Sequence, residues 1–164
     1  MGAVWTLETS VTRTFVADDV IIRIEKDIAE DIAQILCLWM VATSPSDLNE
    51  TNAIEICRLS DNGVGGTFSG LAQRFELGNL TGDGVEAFHL PDTGWATSQP
   101  TVSAVMGGAR PFNWANGWIW PGKFPSGPIN LTSSNSRLGF RVVRASTVEI
   151  TARFGFTYRR SGGS

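Results

Sequence analysis

The sequence predicts an all-β protein, an antiparallel β-sandwich, and three observations predict it. First, Val148, Ile150, Ala152, Phe154, Phe156 and Tyr158 fill every second position near the C-terminus, with Thr147, Glu149, Thr151, Arg153, Gly155, Thr157 and Arg159 between them. Strict alternation sends successive side chains to opposite faces of a pleated strand, one toward a core and one toward water. Second, Leu138, Phe140 and Val142 alternate in the same way with Arg137, Gly139 and Arg141. The polar link Ala145-Ser146 suits a tight hairpin that sets these two strands side by side. Third, the chain holds 18 Gly, six Trp and nine Phe but one Tyr and one His among 164 residues. Glycine with aromatic and β-branched residues favours short strands joined by turns.

The elements follow in order. Residues 1–14 read as an N-terminal arm carrying one large apolar residue, Trp5, and Val11 to Val16 read as a first strand. Residues 15–164 read as a single domain, as the chain length favours. Val20, Ile22 and Ile24 line one face of a strand from Asp18 to Glu25. Lys26 to Asp31 is an acidic loop, and the apolar run from Ala33 to Thr43 is a central strand. Ile24, Ile28, Ile32, Leu36 and Trp39 also fit a helical stripe, so a helix over residues 26–41 stays open beside the favoured strand. Ser44 to Asn52 is a polar loop, and Ala53 to Leu59 a strand. Gly63-Val64-Gly65-Gly66 is a tight turn with backbone in the left-handed region. Further strands fall near Gln73 to Leu77, Val85 to Leu90 and Thr101 to Met106. Pro111 to Pro128 is irregular and aromatic. This many short strands, punctuated by Gly and Pro, make a sandwich or barrel.

Composition narrows the function. The formal charge is −3, and no basic run tracks a phosphate backbone, so no nucleic-acid partner is expected. Arg137, Arg141, Arg144, Arg153, Arg159 and Arg160 are the nearest thing to a positive patch and read as the watered face of two strands. No apolar run is long enough to span a membrane, and the first residues lack the pattern of a cleaved leader. The sequons at Asn49, Asn79 and Asn130 read as accidents of a loop composition rich in Asn and Thr. Cys37 and Cys57 lie in apolar strands and are expected to be buried, reduced thiols.

Candidate chemistry is sparse. His89 has no second His or Cys near it and reads as a strand-end residue, so no metal site is expected. Asp83 and Glu86 flank it without completing a triad, and no nucleophile elbow is present. The Gly63–Gly66 loop lacks the Gly-Lys-Ser/Thr ending that cradles phosphates. Asp83 and Asp92 lack the spacing of a calcium loop. The expectation is therefore a protein that is not an enzyme, with no catalytic residue and no cofactor. The sharpest local feature is aromatic. Phe112, Trp114, Trp118 and Trp120, with Trp5 of the arm, are the candidate interface residues, because so many large rings in one irregular segment are hard to cover within one domain.

The order of features carries a resemblance. A strand pair precedes a long apolar strand, then a polar loop and Ile54-Glu55-Ile56-Cys57-Arg58-Leu59. The turn Gly65-Gly66-Thr67, a middle rich in Gly and Pro, and the Trp segment follow. Pro128-Ile129-Asn130-Leu131 precedes Leu138-Gly139-Phe140-Arg141-Val142 and the alternating last strand. Over residues 15 to 159 this resembles small structural proteins of tailed bacteriophages and their prophages, whose jelly-roll sandwich is similar to that of the tumour-necrosis-factor family. The resemblance implies a jelly-roll fold and a homo-oligomer, a trimer above all. It also implies a capsid decoration or cement role in the virion, bound to the major capsid protein or other virion proteins, and it carries over no site residue. The alternative is a carbohydrate-binding, lectin-like module of a phage fibre or tail, for which the Trp cluster would supply stacking rings.

Overall fold

A computed structural model describes residues 4–26, 32–74, 81–121, 128–133 and 136–161. Eleven strands form within them: β1 Val4–Arg13, β2 Val20–Lys26, β3 Ile32–Ser44, β4 Thr51–Leu59, β5 Thr67–Arg74 and β6 Thr81–His89, then β7 Val102–Asn113, β8 Trp118–Pro121, β9 Ile129–Leu131, β10 Arg137–Val142 and β11 Ile150–Ser161. The described residues contain no helix. The open question over residues 26–41 thus resolves to a strand from Ile32 onward, while residues 27–31 lie outside the described residues.

Every pairing is antiparallel, and the hydrogen-bonded order is β7-β4-β10-β2-β6-β5-β1-β11-β3-β8, with β9 also on β3. This path doubles back at β6-β5-β1. One layer, called sheet 1, is β1-β11-β3 with β8 and β9; the other, sheet 2, is β7-β4-β10-β2-β6. The hairpin β5–β6 joins them, and among the described residues β5 meets β1 at Trp5↔Arg74 and Thr6↔Gln73. Strands β1 to β4 alternate between the two sheets, as do β10 and β11. This order, apart from the added β5–β6 hairpin, is a jelly roll of two Greek keys. The sheets meet through large rings. Phe140 of β10 stands edge-on to Phe154 of β11 at 6.2 Å between centroids, and Trp118 of β8 packs on Phe140 at 5.6 Å.

The alternation reads the faces correctly. Leu138, Phe140, Val142, Ile150, Ala152, Phe154, Phe156 and Tyr158 are all fully buried. Val148 lies outside β11 and is exposed. The hairpin expected across Ala145-Ser146 does not form. β10 pairs with β2 and β4, whereas β11 pairs with β1 and β3. Residues 143–149 cross from one sheet to the other, held where Phe15 N–H donates to Ser146 Oγ at 2.8 Å and Ser146 Oγ donates to Val148 O at 2.8 Å. Two strands with bulky inward faces fill a core better from opposite sides than as neighbours in one sheet.

The N-terminal arm expected over residues 1–14 is also corrected. Val4 to Arg13 pair residue for residue with Arg159 to Ile150, and Leu7 and Val11 are buried. The strand begins seven residues earlier than expected because Thr and Ser at alternate positions serve a watered face as well as apolar residues serve a core.

Register shifts explain two other features. In β3 the pairing slips between Thr157↔Cys37 and Tyr158↔Ile35, leaving Leu36 as a bulge. Ile35 and Leu38 therefore both face the core, and a spacing of three arises inside a strand. In β2, Ile21 joins Ile22 and Ile24 in the core where the pairing slips opposite Phe140 and Arg141. Val20 forms a small second core with Cys57 and Leu59, roofed by Trp95 and Val102.

Candidate functional site

The aromatic segment turns inward. Asn113 organises the reversal: its carbonyl accepts from the N–H groups of Asn116 and Gly117, both at 3.0 Å, and its Oδ1 accepts from Ala115 N–H at 2.9 Å. Gly117 sits at φ 69°, a conformation a side chain strains. The chain then re-enters sheet 1 as β8. Trp114 stacks on Phe15 at 5.3 Å and meets Phe112 edge-on at 5.0 Å. Phe112, Trp114, Trp118 and Trp120 are 8%, 0%, 9% and 2% exposed. These four residues, expected at an interface, are core of a single chain. A tight turn gives the rings an interior that composition does not reveal. Trp5 is half-buried and stacks on Tyr158 at 6.4 Å, so it too serves the sandwich and not a free arm.

The two outer faces of the sandwich differ. That of sheet 2 is covered over its middle strands, while Phe68 and Val105 at its margins are 47% and 38% exposed. Arg141 bonds Glu55 at 2.7 Å, and Glu25 holds both Arg137 and Arg23 at 3.3 Å. The Arg23 guanidinium also lies 4.2 Å from the centre of the Phe88 ring. Beside this ladder runs the connection from β6 to β7. Its Trp95 indole N–H donates to Val20 O at 3.0 Å, while Gln99 Oε1 accepts from Val20 N–H at 3.0 Å. Asp61 Oδ1 anchors the far end, accepting from the N–H groups of Gly63 and Thr101; hydrogen bonds from these two residues hold its carboxyl below the usual range. The expected turn is present, with Gly63 and Gly65 at φ 60° and 88°.

The outer face of sheet 1 carries no such cover in its described part. Across it runs the row Glu8, Gly155, Trp39, Ile119. A Cβ on Gly155 would lie 3.0 Å from Trp39 Cζ2 and collide with the Leu7 carbonyl oxygen. The indole therefore rests on bare glycine backbone and stays half-exposed. Ile119, between buried Trp118 and Trp120, is 66% exposed, the most exposed of the large apolar residues described. Cys37 and Val41 flank Trp39, and Thr6, Ser10, Thr151 and Thr157 fill the adjoining rows. Arg153 pairs with Glu8 here, and Arg159 Nε donates to the neutral Gln34 Oε1 at 2.6 Å and keeps its charge. The arginines of the last two strands are thus divided between opposite faces and form no common patch.

The two cysteines are free. Cys57 is buried as expected, and burial pushes its thiol up to about 12. Cys37 departs from expectation: it is half-buried on the outer face of β3, with its thiol also pushed up by burial. Alkylation of the native chain should modify Cys37 before Cys57, since the thiolate reacts and Cys57 holds its proton tightly. Intact-mass analysis over time checks the order; Cys57 reacting first or at an equal rate would contradict the placement.

His89 lies at the end of β6. Its Nδ1 and Ser69 Oγ are 2.9 Å apart, and its ring stands edge-on to Phe154 at 5.9 Å. Its partner is therefore a side chain and not the backbone group expected for it. Asp92 Oδ1 accepts from Thr12 N–H at 2.8 Å. Among the described residues no three His, Cys, Asp or Glu side chains gather where a metal ion would sit. The side chain of Asp83 lies outside the described residues.

No protein-family description matches this chain, and no curated protein sequence matches it.

Proposed function

We propose that this chain is a structural subunit of a tailed-phage particle, a capsid decoration protein that acts as a homo-oligomer, a trimer, without catalysis. The jelly-roll strand order supports this reading, as does the likeness of sequence pattern. The observation that carries it is the contrast between the two outer faces. The middle of sheet 2 spends its outward side chains on internal ion pairs and a roof, whereas sheet 1 leaves Trp39, Ile119, Cys37 and Val41 beside threonines and a single Glu8–Arg153 pair. Strands β1, β11 and β3, of 10, 12 and 13 residues, with the short β8 and β9 beside β3, give this face roughly 600 Å² in projection at about 4.8 Å between strands and about 3.3 Å per residue. Because Glu8 and Arg153 compensate each other, a different surface of a neighbouring subunit can cover the middle of this face without stranding either of these two charges. Burial would stabilise the contact by about 25 cal/mol per Å² of apolar area before the cost of association. The role is assigned to the virion, with the major capsid protein or another virion protein as the second partner. The glycan-binding alternative loses its platform, since the Trp cluster that motivated it is core.

The test is Ile119→Asp. The side chain is exposed, so the variant should fold while a charge enters the proposed contact. The wild-type chain should scatter light as a trimer and Ile119→Asp as a monomer, and the variant should occupy purified particles less. A wild-type chain that stays monomeric at high concentration and is absent from purified particles would remove the proposal.

A further inference from the structure

We propose that the middle of the β6–β7 connection, Trp95 to Gln99, is a strap that lifts off the outer face of sheet 2 as one unit and uncovers the second core while the sandwich stays folded. Both ends of the connection are tied down. Leu90 is buried, and its N–H donates to Ile21 O at 2.9 Å. Arg13 donates to Pro91 O, and Thr12 N–H donates to Asp92 Oδ1 at 2.8 Å. At the far end Thr101 N–H donates to Asp61 Oδ1, and Thr101 O accepts from Ser60 N–H at 2.9 Å.

Between these ties two seat residues are each gripped twice. Val20 O accepts from the Trp95 indole and Val20 N–H donates to Gln99 Oε1, both at 3.0 Å. Val64 O accepts from Ala96 N–H at 3.0 Å, and Val64 N–H donates to Ser98 O at 2.7 Å. Gln99 Nε2 adds a bond to Asp18 O at 3.1 Å. Positions 95, 96, 98 and 99 thus close on two residues, and loosening one grip misaligns the others. These bonds lie outside the strand ladders, since the pairing of β6 with β2 stops at Ile22↔His89, short of Val20.

What the strap covers is separate from the main interior. Val20, Cys57 and Leu59 form a cluster of their own. They stand opposite Arg141, Gly139 and Arg137, the outward positions of β10. The backbone of sheet 2 therefore lies between them and the rings that join the two sheets, and lifting the strap leaves Phe140 and Phe154 packed. Ala96, Thr97 and Ser98 are exposed, so water lies on the strap's other side. Trp95 rests against both cores and is the latch. Its ring lies on Gly66, where an added Cβ would come within 2.4 Å of Cζ3 and 2.9 Å of Cη2. Gly66, unlike Gly63 and Gly65, has no positive φ, so its missing side chain serves the ring and not the turn. The strap lies on the face opposite the sheet 1 contact and does not depend on it.

Amide hydrogen exchange of the full chain tests the strap. In the wild type the amides of Val20, Val64 and Ala96 should exchange through one shared opening, with the same protection factor. That factor should change little with low denaturant, because the opening exposes little surface, whereas amides of β11 should follow global unfolding and respond steeply. Gly66→Ala adds one methyl under the latch, and Trp95→Ala removes the latch without adding an atom. In both variants the three amides should lose protection while those of β11 stay protected and the chain melts cooperatively. In a Cys37→Ser background, both should also speed the alkylation of Cys57. If Gly66→Ala does not fold, the wild type and Trp95→Ala decide. Protection of the three amides that matches β11 and falls with it in denaturant, protection that differs among the three, or unchanged protection or Cys57 reactivity in Trp95→Ala would each overturn the strap.

Discussion

Phe154→Asp is expected to leave no cooperatively folded protein. Phe154 is fully buried, faces Phe140 across the sandwich and carries the His89 ring on its edge. Truncation to alanine at such a site costs about 3–5 kcal/mol in lost burial and residual cavity. Aspartate adds a carboxylate with no partner, which either pays for desolvation or takes up a proton and still lacks hydrogen bonds. Against a total stability of about 5–15 kcal/mol, the sum removes the fold. Near-ultraviolet circular dichroism and dispersion of amide resonances give the measurement. A soluble variant that melts cooperatively near the wild-type temperature would show that β11 does not run in this register.

Removal of residues 1–10 is expected to be nearly as damaging, although a segment with one large apolar residue at its start reads as dispensable. The cut takes Val4 to Ser10 out of the pairing with β11. It also removes Trp5 and Thr6, the β1 residues that pair with β5 among the described residues, and so opens the seam between the sheets. Leu7 leaves the core, and Tyr158 loses the stacked Trp5 ring. The long edge of β11 is left bare, a template for aggregation. The shortened chain should be insoluble or melt far below the full chain in thermal circular dichroism. An unchanged melting midpoint would return residues 1–10 to the status of a free arm.

The candidate surface was only partly legible beforehand. The rings of residues 112–120 stand out by composition, yet composition does not say which way a turn faces, and Asn113 and Gly117 aim them inward. Trp39 was hidden inside a run that reads as apolar throughout, because the Leu36 bulge breaks the alternation that would have assigned it to the outer face. The signal that bears on it is Gly155, a residue without a side chain in the middle of an otherwise regular strand. Its meaning depends on knowing that β3 lies beside β11.

The sequence by itself determined the all-β class and, in the last two strands, which residues face inward: Ile150 to Tyr158 at alternate positions, and Leu138, Phe140 and Val142; in β2 it set Val20 with Ile22 and Ile24, whereas Val20 lies in the second core. It also determined the turn at Gly63 to Gly66. These are local properties, since the two-residue period of a strand is set by its own backbone and a left-handed turn by its own glycine. Tertiary structure alone decided which strands are neighbours, that β10 and β11 lie in opposite sheets, that the N-terminal strand pairs with the C-terminal one, and that a described loop roofs the middle of one outer face and not the other. Alternation records a face and carries no partner's address. Partners are chosen when rings such as Phe140, Phe154, Trp114 and Trp118 must fill one interior, a choice that joins residues from the two ends of the chain.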